Sequence, residues 1–168
     1  DSSCITGIIK WATRTYNVSR KAYFNQDNFD GCFKNLTKLK YVNDLRFGNT
    51  VQILSSLFEN CESLNSVDLS GCDTSNVTTM SSMFYNCKAL QTITPSELNT
   101  SSCENLSNMF SGCPLLTHDI EISSNVTNCS NMFKDCTSMT HIHSNWNNSY
   151  NYTITATGCY SGCTSVTH

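Results

Sequence analysis

The sequence predicts an α/β solenoid of about six stacked coils, each a helix followed by a strand and each 23–27 residues long. Two observations carry this. One phrase recurs along the chain: apolar–x–x–apolar–Phe–x–x–Cys–x–x–Leu–x–x–Val/Ile, best preserved as Met80-Ser-Ser-Met83-Phe84-Tyr-Asn-Cys87-Lys-Ala-Leu90-Gln-Thr-Ile93. Its aromatic anchors are Phe33, Phe58, Phe84, Phe110, Phe133 and Tyr160, spaced by 25, 26, 26, 23 and 27 residues. A steady period of this length marks a stack of repeated units. Within the phrase, apolar residues fall at i, i+3, i+4 and i+7, the pattern of one helix face, and the residues that follow alternate as a half-buried strand does.

The elements follow in order. Residues 1–27 lack the phrase. Ile8-Ile9 with Trp11 and Tyr16 suggest a short apolar strand pair or cap over the first coil, or a linker from a preceding domain. Residues 28–168 hold the six coils. We number each phrase from its first apolar residue as slot 0, so that slots 3, 4, 7, 10 and 13 are the other apolar positions. Slots 0 to 7 are the expected helix. Thr78 and Thr79 stand where they can cap its start. Asn60, Asn86, Gly112 and Gly162, just before slot 7, suit its end. Leu64-Asn-Ser-Val67-Asp-Leu69 gives the strand, and Asp-Thr-Ser-Asn at 73–76 a polar turn into the next coil. Residues 97–103 lose that turn by letter, and 120–124 lie in a shortened coil. Strands of successive coils should pair in parallel. Because a helix is about 10 Å wide and strands lie about 4.8 Å apart, the stack should curve with its strands inside.

Asn, Ser and Thr supply 64 of 168 residues, while only 14% are charged. This suits a neutral, polar, exposed surface. Residues 1–46 carry a net +4 and residues 47–168 a net −7. An acidic repeat array argues against nucleic acid, whose binding rests on neutralising phosphates. No run of 18 apolar residues occurs, so no membrane span is expected. The start at Asp1 and the absence of a signal peptide suggest a mature product or a fragment. The last copy stops at Val166 without a polar cap, so more protein or another subunit is expected over at least one end.

Eleven cysteines resolve by slot. Slot 7 holds Cys61, Cys87, Cys113, Cys136 and Cys163; slot 3 holds Cys32 and Cys159; slot 0 holds Cys129; Cys103 replaces a valine three residues earlier. Other copies carry apolar residues at these places. A free thiol is a small buried hydrophobe, so a stacked core column is expected rather than a disulfide framework. The rival is bonding between neighbouring slot-7 cysteines, whose strand spacing falls inside the disulfide range. In-register side chains point the same way, however, which makes the S–S torsion hard to reach. No CxxC pair exists to hold a metal.

Leu69-Ser-Gly-Cys-Asp-Thr-Ser-Asn-Val-Thr-Thr-Met-Ser-Ser-Met-Phe-Tyr-Asn-Cys-Lys-Ala-Leu90 resembles the BspA-like leucine-rich repeat family and its near relative, the repeat of unknown function in mycoplasma-type surface lipoproteins. The match is strongest over residues 54–140. The resemblance implies a leucine-rich-repeat-like, right-handed coil on cell-surface or secreted proteins. It also implies adhesion or partner binding, and it carries no active site, so no catalytic residue transfers.

Five residues after the slot-7 cysteine come His118, His141 and His168, in the slot that holds Tyr41, Ser66 and Thr92 in earlier copies. Stacked in register, these imidazoles could be polar strand residues only, hold Zn²⁺ or a similar ion, form a pH-sensitive patch with His143, or contact a partner. Trp146, Tyr150 and Tyr152 lie in an Asn-rich loop and either pack on the last coil or contact a partner. Among nine Asn-x-Ser/Thr sequons, Asn17, Asn99, Asn147 and Asn151 are the candidate glycosylation sites. No cofactor is expected. The expected function is a non-enzymatic surface or extracellular repeat module that binds a protein or glycan partner and forms part of a larger protein. The alternative is a structural subunit that stacks against neighbouring subunits of a virion, tail or filament.

Overall fold

The computed structural model describes residues 17–24, 27–94, 98–117, 119–123, 125–140 and 157–165. Its strands are β1 (Asn17–Phe24), β2 (Tyr41–Phe47), β3 (Ser66–Asp68), β4 (Gly71–Cys72) and β5 (Thr92–Thr94). They form one parallel sheet in the order β1-β2-β3-β5, with β4 also beside β2. The register Asn17↔Tyr41↔Ser66↔Thr92 advances one repeat per strand. A second ladder of single bridges runs through Asn28, Ile53, Thr79, Asn105 and Asn128, just before slot 0 of each coil.

The expected helices are absent, and the α/β helix–strand solenoid is corrected on this point: among the described residues there is no helix. Slots 0 to 7 are instead two tight turns in succession. In the third coil the amides of Met83, Tyr85 and Cys87 donate to the carbonyls three residues back, of Met80, Ser82 and Phe84, at 3.1–3.2 Å. The amides between them, of Ser82, Phe84 and Asn86, leave the coil and donate to Ser107, Met109 and Ser111 of the next one at 2.8–2.9 Å. An α-helix would spend every one of these amides on its own carbonyls four residues back. Here alternate amides join neighbouring coils, so the strip is a parallel ladder made of turns.

Backbone conformation is the cause. Slots 2 and 6 sit at positive φ in every described coil: Gly31 and Asn35, Ser56 and Asn60, Ser82 and Asn86, Asn108 and Gly112, Asn131 and Asp135, Gly158 and Gly162. Positive φ at the third residue is what a type II turn requires, and Gly and Asn are its usual occupants. Two such residues four apart cannot lie in a right-handed helix. The residues read as helix ends, Asn60, Asn86, Gly112 and Gly162, are these turn residues. The expected N-cap Thr79 becomes a turn brace, its Oγ1 accepting from the Ser81 amide at 3.3 Å, and Asn105 and Asn128 at the same slot accept at Oδ1 from the amides of Ser107 and Ser130 at 3.0 Å. The polar turn also outlasts its letters. Asn99 takes the place of Asp73, each accepting from the amide two residues on at 3.0 Å, and Cys103 N→Thr100 O repeats Val77 N→Thr74 O.

The core consists of columns. Phe33, Phe58, Phe84, Phe110, Phe133 and Tyr160 stack ring on ring at 5.2–5.4 Å, with interplanar angles of 4–15°. Leu39, Leu64, Leu90, Leu116 and Met139 are buried at slot 10, and Val42, Val67 and Ile93 form the inward row of the strands. Ring spacing close to the strand spacing of about 4.8 Å removes the difference in width that was expected to bend a helix–strand stack.

At slot 6 each side chain leans over the next coil. Asn60 Nδ2 donates to Asn35 Oδ1 at 2.9 Å and Asn86 Nδ2 to Asn60 Oδ1 at 3.2 Å. The ladder then meets Gly112, at φ +77°, where an added Cβ would collide with Asn86 Oδ1. Gly112→Ala is expected to cost about 1–3 kcal/mol, from backbone strain and the displaced amide. Gly48→Ala, where a Cβ would meet nothing within 4 Å, should stay within about 0.5 kcal/mol. Urea denaturation of the two variants checks this, and equal effects would reject the turn geometry.

Candidate interaction surface

Alternation along the strands sends one row inward and the next outward. The outward row is Tyr41, Ser66 and Thr92, joined by the pairings of β2, β3 and β5. Tyr41 and Thr92 are exposed and Ser66 is half-buried. Asp68 and Thr94, paired in the next register, continue the face. Tyr41 is one of two large hydrophobics exposed among the described residues; the other is Leu115. A flat aromatic ring beside hydroxyls and a carboxylate offers stacking, hydrogen-bond donors and acceptors within one small area.

The turn after β3 extends this face into a cleft of about 430 Å³ between residues 70–74 and 98–99. Asp68 Oδ1 accepts from the Ser70 hydroxyl at 2.5 Å and the Ser70 amide at 2.9 Å. These bonds hold its carboxyl below the usual range, with Arg46 adding to the effect. Asp73 is likewise lowered by the Ser75 hydroxyl and amide. Arg46 lies across Gly71, where an added Cβ would come within 2.7 Å of Arg46 Cγ. Charge on the neighbouring strip is paired between coils: Lys34–Glu59 and Lys88–Glu62, both at 2.8 Å.

The slot-7 thiols take a structural place. Cys61, Cys87, Cys113 and Cys136 are wholly buried and Cys163 is partly buried. Each donates its S–H to the carbonyl of the aromatic anchor one coil back: Cys61 to Phe33, Cys87 to Phe58, Cys113 to Phe84, Cys136 to Phe110 and Cys163 to Phe133, at 3.0–3.1 Å. Those carbonyls also accept the slot-7 amide of their own coil, so the thiol fills their second lone pair. Burial pushes Cys61 and Cys136 up to about 12 and Cys103 to about 11, and Cys87 and Cys113 well above the ordinary value. At neutral pH these sulfurs are protonated donors and poor nucleophiles. The described cysteines are free thiols.

Other sequence candidates fall differently. His118, His141 and His168 lie outside the described residues, as do His143, Trp146, Tyr150, Tyr152, Asn147 and Asn151. Among the described residues no group of three His, Cys, Asp or Glu is placed to hold a metal ion, and no helix is long and apolar enough to cross a membrane. Asn17 opens β1. Asn99 is exposed, but its Oδ1 is engaged by the Ser101 amide. Asn76 donates to the Asn49 carbonyl at 2.9 Å, and Asn125 to that of Ser101. The left-handed positions at slots 2 and 6 went unrecognised as a pair. The signal was present in Gly, Asn and Ser recurring four residues apart.

No functionally curated protein matches the chain. Its fold is similar to the crystal structure of a leucine-rich repeat protein from Eubacterium ventriosum, with a TM-score of 0.56 and 18% identity over 83% of this chain. The match spans 34% of that protein, about a third of its length. Residues 52–167 match the family described as "Mycoplasma protein of unknown function, DUF285". The chain therefore belongs to the DUF285 family, and the repeat is of the BspA-like type that its phrase at 69–90 resembles.

Proposed function

We propose that the chain is a non-enzymatic recognition module of an extracellular or particle surface, and that it binds a protein or glycan partner through the outward strand face and the cleft beside it. The observation that carries this is the outward row of Tyr41, Ser66 and Thr92, with Tyr41 and Thr92 exposed and Ser66 half-buried, held in fixed register by main-chain pairing. A rigid face costs little ordering entropy when it binds, because its backbone is already fixed. Rings and hydroxyls in such an array suit sugar faces and polar peptide alike. The protonated, buried thiols support a structural rather than a catalytic role for the cysteines. A match to a third of a longer repeat protein supports a place within a larger chain.

Binding of the purified chain to arrays of immobilised glycans and of secreted glycoproteins tests the reading. Wild type is expected to bind members of one chemical class. Tyr41→Ala with Thr92→Glu should weaken that binding at least about tenfold, or 1.4 kcal/mol, without changing the melting temperature. Binding that survives both substitutions would place the interaction elsewhere.

A further inference from the structure

Taking the strand face as the module's binding surface, we propose that its ligand is a neutral glycan rather than a protein. Six side chains form the face in two rows along β2, β3 and β5: Tyr41, Ser66 and Thr92, then Asn43, Asp68 and Thr94 two residues further on. Main-chain groups of β2 and β3 pair with strands on both sides, so no edge is open there for an added peptide strand. A ligand on this face meets side chains. The centre of a protein interface is enriched in aromatic residues, Met and Arg and depleted in Asp and Ser. This face instead sets one aromatic ring, 39% exposed, beside the aliphatic hydroxyls of Ser66, Thr92 and Thr94, the Asn43 amide and the Asp68 carboxylate. A pyranose has the complementary make-up. One side of its ring is a patch of C–H groups that lies flat on an aromatic ring, and its rim is hydroxyls that both donate and accept.

The acceptor for those hydroxyls is fixed in advance. Asp68 Oδ1 takes the Ser70 hydroxyl at 2.5 Å and the Ser70 amide at 2.9 Å. A carboxylate has about four acceptor sites, so about two remain for sugar hydroxyls. A strand spacing of about 4.8 Å and a rise of about 3.3 Å per residue set the Tyr41 and Asp68 backbones about 8 Å apart. A sugar ring lying on Tyr41 then turns its rim toward Asp68, and the next unit of the glycan reaches the cleft past Ser70. That cleft, of about 430 Å³, is bordered by Asp73 and Asn99 and has the size of a small-ligand site. Charge decides the kind of glycan. Neither row carries Lys or Arg, and the Ser70 and Ser75 bonds keep Asp68 and Asp73 ionised. Arg46, half-buried across Gly71, is balanced by Asp68. A sialylated, uronate or sulfated sugar would set like charge against these carboxylates, so the fitting ligand is uncharged.

The test uses the whole chain with oligosaccharides of glucose, mannose, galactose and N-acetylglucosamine, each with and without a terminal sialic acid or sulfate. Saturation-transfer NMR and calorimetry read the binding. At least one neutral series is expected to bind, and its charged forms at least about tenfold more weakly. Tyr41→Phe should stay within about threefold of wild type, because the stacking ring remains, while Tyr41→Ala and Asp68→Asn should each lose about tenfold or more. The conservative Tyr41→Phe keeps the comparison sound even if Tyr41→Ala folds poorly. Charged forms that bind as well as the neutral ones would overturn the proposal. So would secreted glycoproteins that still bind once stripped of their glycans while no free sugar does, an outcome that leaves the face a protein site. Binding of neither sugars nor proteins would overturn the proposal and the recognition module together.

Discussion

Between pH 8 and pH 10, with reductant present, the protein is expected to lose about 7 kcal/mol of folding stability. The source is the buried thiols. Cys61, Cys87, Cys103, Cys113 and Cys136 have no exposed surface, and burial raises each above the ordinary thiol value of 9.0. A raised folded value means that the unfolded chain releases protons first. Stability is therefore complete well below pH 9, begins to fall as pH nears the unfolded value of 9.0, and continues to fall toward 11–12, where the folded thiols begin to ionise. Each thiol contributes a slope of about 1.4 kcal/mol per pH unit in that window, and five together exhaust much of a domain's usual 5–15 kcal/mol. Urea titrations at intervals from pH 7.5 to pH 10 should show the midpoint collapsing. Cys87→Ala should reduce the slope by about one proton in five. A flat profile would mean that the thiols are wetter than their burial implies.

That the cysteines could be placed in the core before any coordinates, while the helices were wrongly expected, has one explanation. Period and slot report which residues face inward, and Phe84, Cys87, Leu90 and Ile93 keep their inward places whatever the backbone does between them. Backbone type is not in the apolar pattern, because a four-residue turn and a helical turn both bring i and i+3 together. What distinguishes them is the conformation demanded of the polar slots. Ser82 and Asn86, or Asn108 and Gly112, take a left-handed backbone that a helix forbids, and only the recurrence of Gly and Asn at both slots could have shown it. The turn at 99–103 was missed for a related reason. Asn99 replaces Asp73 in letter but supplies the same acceptor oxygen. At the candidate surface, the row of Tyr41, Ser66 and Thr92 was visible as a slot. Its exposure and its adjoining cleft depend on how the coils stack, which no single copy encodes.

Phe84→Ala is expected to destabilise the protein by about 3–5 kcal/mol. Phe84 is wholly buried and stacks on two rings, Phe58 and Phe110, both at 5.4 Å. Its amide donates to Met109 and its carbonyl accepts from Cys113 of the next coil and from the amide of Cys87. Truncation opens a ring-sized cavity just where the main chain joins three coils. A repeat stack is nearly one-dimensional, and each coil is stabilised by its neighbours rather than by a common centre. A cavity in the middle therefore weakens two interfaces, whereas Phe33→Ala removes one stacked ring contact, that with Phe58 at 5.2 Å. The middle substitution should cost more than the end one by about 1 kcal/mol or more, and it should also broaden the transition, because the two halves then unfold with less coupling. Urea unfolding followed by near-UV and far-UV circular dichroism measures both effects. Equal costs for the two substitutions, with both transitions equally sharp, would show that the ring column does not carry the coupling between coils.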